Sequence, residues 1–254
     1  MITDTESKHC VLMEDYIFDP DLTEDEKFQT IKYIIDDHHL LLANFWKEIN
    51  LICKNKSFAF VPISLFHPDS PTSYIGSNAA FDPALDEVVI AYHTPLKFVN
   101  IFTVSKSIKD LMGRIYPRRK INYQHQSSAL INGVIAMNGH MGRDMVIYLD
   151  RFGMHIILAQ DKQLLYYNQY QIKKFEDYLK YVKMVAAELH ISLETEKISL
   201  YGYLGKNTPH FQALKKSIPG ISLGNRPQLM NFSYVFDELL DHQYFDLFSI
   251  ETSN

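Results

Sequence analysis

The chain has 254 residues, room for one large domain or two coupled lobes, and its 46% hydrophobic and 22% charged residues sit near globular averages. Its 16 Tyr and 16 Phe exclude a disordered chain, and a net charge of −5 argues against a general binder of nucleic acid or anionic membrane. The two cysteines, Cys10 and Cys53, are too few for a disulfide framework, the first ten residues lack the apolar stretch of a signal peptide, and no run nears the ~18 apolar residues of a membrane span, so the cytoplasm is the expected location.

Residues 11–18 read as a strand. Thr23 stands at capping-box spacing from Glu26, and Phe28, Ile31, Ile34 and Ile35 follow at helical intervals, predicting a helix over 24–38. Two apolar runs, 48–53 and 57–61, flank Lys54-Asn55-Lys56 and read as a hairpin closed by Pro62. Residues 67–86 carry Pro68, Pro71 and Pro83 among Ser, Asp and Asn and read as a long surface loop. Strands follow near 87–93 and 98–104. A helix after Ser105 shows Ile108, Leu111, Met112 and Ile115 on one face and stops at Pro117. Residues 119–125 read as a strand, and 127–138 are apolar nearly all round, as in a buried central helix.

The second half is more regular. Met145–Asp150, Met154–Ala159 and Gln163–Asn168 read as three strands, with Gln160-Asp161-Lys162 a tight turn between the last two. A helix over 173–190 carries the stripe Phe175, Tyr178, Leu179, Val182, Val185, Ala186 and Leu189. Residues 197–203 read as a strand, 204–209 as a loop, and 210–217 as a helix ending before Pro219-Gly220. The aromatic, acidic tail from Leu229 to Asn254 reads as a strand followed by helix or strand. Three strands, helix, strand, loop and helix is the half-unit order of an actin-like nucleotide-binding fold. The first half alternates strands and helices too, with a short opening unit. The expected architecture is therefore α/β and two-lobed, actin-like (ribonuclease H-like), each lobe a mixed five-stranded sheet flanked by helices. Residues 1–125 form the first lobe and 126–254 the second, with 126–140 as the connecting helix.

The run Leu164-Leu165-Tyr166-Tyr167-Asn168-Gln169-Tyr170, then Phe175-Glu176-Asp177-Tyr178 with Tyr181 and Val182, resembles an uncharacterised bacterial family. Its members place a Leu-x-(Phe/Tyr)-x-Asn-x-(Phe/Tyr) strand end before a Glu-Asp-x-x-x-Tyr helix. Phe60-Val61-Pro62, Leu65-Phe66 and Asn100-Ile101-Phe102-x-Val104 match it as well, so that the likeness spans most of residues 45–220. The resemblance implies the actin-like fold of sugar kinases and chaperone ATPases. It is also similar to actin-like scaffold proteins of pilus-assembly and type II secretion platforms. It implies no activity, the family being one of unknown function.

An ATPase of this fold needs small residues in two phosphate-gripping hairpins, a carboxylate for Mg²⁺ and a Gly-rich turn under the adenosine. The nearest hairpin is Asp150-Arg151-Phe152-Gly153-Met154-His155, one residue longer than the usual loop and bulky where small or hydroxyl residues are wanted. Tyr201-Gly202-Tyr203-Leu204-Gly205-Lys206-Asn207-Thr208 stands at the adenosine turn but lacks P-loop spacing, so Gly202 and Gly205 read first as turn residues. The first half has no phosphate loop. The expectation is a degenerate nucleotide site, no cofactor, no enzyme activity, and a scaffold that binds a protein partner. The alternative is a nucleotide or small-ligand binder, extending to a weak ATPase, with Asp150, Gly153, Gly202 and Gly205 around a ligand in the cleft between lobes.

Other constellations read as structure. Asp36-Asp37-His38-His39 cannot converge on one metal ion, because adjacent helical residues diverge by about 100°. Arg114, Arg118, Arg119 and Lys120 form a basic cluster read as a solvated edge, and as a contact for RNA or phosphate only against the acidic remainder. Tyr166, Tyr167, Tyr170, Phe175 and Tyr178 read as packing of a strand onto a helix, with ligand stacking as the other use.

Overall fold

A computed structural model describes residues 1–19, 21–43, 45–75, 81–138, 142–151 and 153–250. By its internal contacts the chain divides into a unit of residues 14–128 and a unit of 1–13 with 129–254. Residues 1–13, expected with the first lobe, thus group with the second half. Strand β1 (Ile2–Asp4) pairs antiparallel with β2 (His9–Leu12), and β2 pairs parallel with Asn231–Phe232 near the other end of the sequence. Cys10, 1% exposed, packs there against Met230 and Phe236. The strand expected over 11–18 accordingly lies earlier and is shorter.

In the unit of 14–128, helix α1 (Glu24–Asp37) opens with the capping box read from Thr23 and Glu26: Thr23 N–H donates to Glu26 Oε2 at 2.8 Å, and Glu26 N–H donates to Thr23 Oγ1 at 3.3 Å. Strands β3 (Ile49–Cys53) and β4 (Phe58–Pro62) do not form the predicted hairpin. β3 pairs parallel with β7 (Ile121–His125), while β4 joins an antiparallel sheet, order β4-β6-β5, with β5 (Asp86–His93) and β6 (Phe98–Ser105). The linker between β3 and β4 is held by other elements: Asn55 Nδ2 donates to the Thr103 carbonyl at 2.9 Å, and its own carbonyl meets His125 Nε2 at 3.1 Å. Two sheets, of two and three strands, therefore stand among the described residues where one five-stranded sheet was expected. Helix α2 (Lys106–Ile115) follows β6, burying Leu111 and Met112. Part of the predicted loop over 67–86, residues 76–80, lies outside the described residues.

Helix α3 (Gln126–Met137) crosses the boundary between the units and is as buried as its composition demands: Ala129, Leu130 and Ile131 are 0% exposed. Residues 139 and 140, expected to extend it, lie outside the described residues. Then come β8 (Arg143–Leu149), β9 (Met154–Gln160) and β10 (Gln163–Tyr170), all antiparallel. The β9–β10 turn has positive φ at Asp161 and Lys162, 52° and 59°, the geometry of a two-residue hairpin. Helix α4 (Phe175–Glu188), strand β11 (Ile198–Gly202), helix α5 (Pro209–Ser217) and strand β12 (Ile221–Leu223) complete a mixed sheet, order β10-β9-β8-β11-β12. Alternation splits its core. Met145, Ile147, Met154 and Ile156 pack with Val182 and Val185 of α4 and Phe211 and Leu214 of α5. Val146, Tyr148 and Ile157 pack on the other face with Leu130 and Val134 of α3 and Phe245. The tail adds β13 (Asn231–Phe232) and a short helix α6 (Phe245–Phe248). Residues 251–254 lie outside the described residues.

Candidate functional site

Asp150 leaves the end of β8, at the hairpin where the sequence places a metal-holding carboxylate. Its Oδ1 accepts the Gly153 N–H at 2.8 Å, and its own N–H donates to the Gly153 carbonyl at 3.1 Å. Its Oδ2 lies 3.4 Å from His155 Nε2 in a pairing where the carboxylate side chain is 3% exposed and the imidazole 0%. His155 Nδ1 meets the Tyr167 hydroxyl at 2.7 Å. Tyr148 stands edge-on to the His155 ring, and burial, then the nearby Asp246 and Asp150 carboxylates, push its phenol well above the usual range. Each carboxylate oxygen of Asp150 thus faces a group of its own hairpin, Oδ1 the Gly153 amide and Oδ2 the buried imidazole. No group of three or more His, Cys, Asp or Glu among the described residues is arranged to hold a metal. Phe152, expected to crowd this loop, lies outside the described residues.

The glycines serve close approach of backbone. Gly202, at the end of β11, has φ +105°, and a Cβ there would overlap the Leu149 carbonyl oxygen. That same oxygen accepts the Tyr203 N–H at 3.1 Å, while Gly202 N–H donates to the His242 carbonyl at 2.7 Å. His242 Nε2 meets the Leu204 carbonyl at 2.8 Å, so His242 ties the loop twice; burial lowers the pKa of its imidazole. Gly153 abuts the Tyr170 carbonyl, where a side chain would again collide. A Cβ at Gly205 would meet only an ordinary contact, Thr208 Cγ2 at 3.6 Å, and the Gly205 carbonyl accepts from Thr208 Oγ1 at 2.8 Å. Thr208 caps α5 by accepting the Phe211 N–H at 3.2 Å.

Of the four candidate residues, Asp150 alone lines a cavity of about 340 Å³ at the ends of β8 and β11. Leu149, Ile172, Leu204 and Leu214 give it an apolar floor. Tyr178, Tyr203 and Phe175 form walls, and Phe175 stacks on His210 with ring centroids 5.0 Å apart at 19°. Burial, and secondarily Asp150, raise the Tyr178 phenol, which therefore stays a donor. Lys173 and Lys174 are exposed at the rim. Phe175 and Tyr178 stand out in the sequence as part of an aromatic strip, but Lys173, Lys174, His210 and Leu214 do not, because the loop before α4 and helix α5 that carry them are far apart in the chain and only the fold brings them together. The rest of the strip divides between the faces: Tyr166 and Tyr170 bond through their hydroxyls and Tyr170 stacks on Tyr181, whereas Tyr167 goes to His155.

The remaining sequence candidates stand apart from this site. Arg114, Arg118, Arg119 and Lys120 are exposed at the end of α2 and just after it. His38 pairs with Glu14 at 3.0 Å. Burial pushes the Cys53 thiol up to about 12 and also raises that of Cys10. No helix among the described residues is long and apolar enough to cross a membrane.

The model of a family described as protein of unknown function, DUF3822, matches residues 1–221. A protein of unknown function with an actin-like ATPase fold from Bacteroides thetaiotaomicron superposes with a TM-score of 0.73 at 19% identity, covering 93% of this chain and 84% of that one. A chain of the PilM–PilN type IV pilus biogenesis complex superposes with a TM-score of 0.53 at 9% identity, covering 88% of this chain and 83% of that one. No curated protein matches. The fold is thus an α/β fold of the actin-like ATPase type.

Proposed function

The chain belongs to DUF3822, a family of unknown function, and from that premise we propose that it acts by binding another protein rather than by hydrolysing nucleotide. The observation that carries this reading is the engagement of Asp150. Both of its oxygens face groups of its own hairpin, and the side chain is 3% exposed. Gly153 and Gly202 support it, because each meets a neighbouring carbonyl of the same sheet rather than leaving a cradle of amides for phosphate. A neighbour of the same fold solved as part of the PilM–PilN complex supports a role in assembly with a partner. In this reading the protein is a scaffold and no cofactor takes part.

The test is thermal unfolding with and without millimolar Mg²⁺-ATP and Mg²⁺-ADP. A ligand that binds only the folded state at a hundredfold excess over its Kd adds about 2.7 kcal/mol and raises the midpoint by several degrees. The expected outcome is an unchanged midpoint. A rise in the wild type that disappears in Asp150→Ala overturns the proposal and makes the protein a nucleotide binder.

A further inference from the structure

We propose that the cavity beside α4 receives an aromatic side chain next to a carboxylate, presented by an extended peptide segment of a partner protein. This rests on the protein-binding reading and adds the chemistry of the contact. The volume, about 340 Å³, lies near the lower end of ligand-sized pockets. It suits one aromatic group and its backbone. The apolar floor favours a desolvated ring, and the stacked Phe175–His210 pair and Tyr178 offer faces and edges to it.

The rim decides the charge. Neither the Lys173 nor the Lys174 ammonium group has an ion pair among the described residues. The Arg151 guanidinium sits 4.9 Å from the centroid of Tyr203, another wall of the cavity. Two acids oppose an anion. Asp150 is turned into its own hairpin, and Asp177, on the first turn of α4, accepts the backbone N–H groups of Lys173 and Lys174 at 3.0 and 3.1 Å. A neutral ligand would make no use of either ammonium group, of which Lys174 already acts electrostatically on Asp177, and a bare phosphate would leave the apolar floor uncovered. A peptide is favoured over a free metabolite by β10. Among the described residues it is the outermost strand of its sheet; it carries no charged residue and leads through Gln171 and Ile172 into the rim at Lys173 and Lys174. A chain laid along it finds edge amides and carbonyls for pairing.

The test is an amide-resolved NMR titration of the full chain with Nα-acetyl-phenylalanine, which joins a ring to a carboxylate, and with its neutral amide. The acid is expected to move the signals of 173–178 and His210 and to bind about fivefold tighter than the amide, as two exposed ion pairs would provide. Lys173→Gln with Lys174→Gln should bring the acid down to the level of the amide with the spectrum otherwise intact, since both side chains are exposed. Equal response to acid and amide, or no movement of these signals at probe concentrations on the order of 10 mM, overturns the proposal. If Mg²⁺-ATP also leaves the spectrum unchanged, the cavity assignment fails alone. Signals of 150–153 that move with Mg²⁺-ATP strike the protein-binding reading itself.

Discussion

At Gly202 a single carbonyl oxygen decides which residue the chain tolerates. The φ of +105° and the Leu149 oxygen beside the Cα leave no place for a methyl group. Gly202→Ala is expected to cost about 3 kcal/mol, strain and steric overlap together, read as a lowered urea midpoint with unchanged slope. A variant as stable as wild type would mean that the β11 end relaxes away from β8. The same position shows what a sequence withholds. A glycine in a strand-to-helix loop reads equally as a phosphate cradle or as close packing, and only its spatial neighbour separates the two. Asp150 was visible in the sequence as a strand-end carboxylate. Its partner His155 is close in sequence too, yet nothing in the residue types announces that the pair is buried.

At the scale of elements, periodicity carried most of the information. The stripe of α4 and the three strands before it stand where their apolar spacing puts them, because each element buries one face on the same core. The hairpin read over 48–61 fails for the opposite reason. Its signal was local, whereas β3 takes a parallel partner, β7, that arrives only after β6 and α2. The three-residue strand β12 carries too few residues for any period to register. The cavity was not legible either, since its rim, floor and walls come from a loop, two strand ends and two helices. One element boundary offers a direct measurement. Thr208 caps α5 and also bonds Gly205, and Pro209 occupies the first helical position. Thr208→Ala is expected to lower stability by about 1 kcal/mol, seen as a lower melting midpoint, with Thr208→Ser recovering most of the loss.

Across the whole molecule, buried acids of high pKa set an alkaline limit. Burial pushes the Tyr201 phenol up to about 12 and the Cys53 thiol to about 12, and it raises those of Tyr148 and Tyr170 as well. A group whose folded pKa lies above its unfolded one favours folding while it stays protonated. That contribution is complete below the unfolded values, about 8.5 for the thiol and 10 for the phenol, and is lost as pH rises toward 12. The melting midpoint should therefore hold between about pH 7 and 8 and fall progressively to pH 12, with phenolate absorbance appearing as the fold is lost. A midpoint flat to pH 12 would contradict it. The small sheet β1-β2-β13 bears on a different matter, the order in which the ribosome delivers the parts. Residues 14–128 emerge as one uninterrupted stretch, so that unit has all its own residues early. Cys10 emerges before any of them, but its neighbours Met230, Phe232 and Phe236 come more than two hundred residues later. Until residues 230–236 have been made, Cys10 lacks the apolar neighbours it meets in the folded unit, and β2 lacks its parallel partner β13.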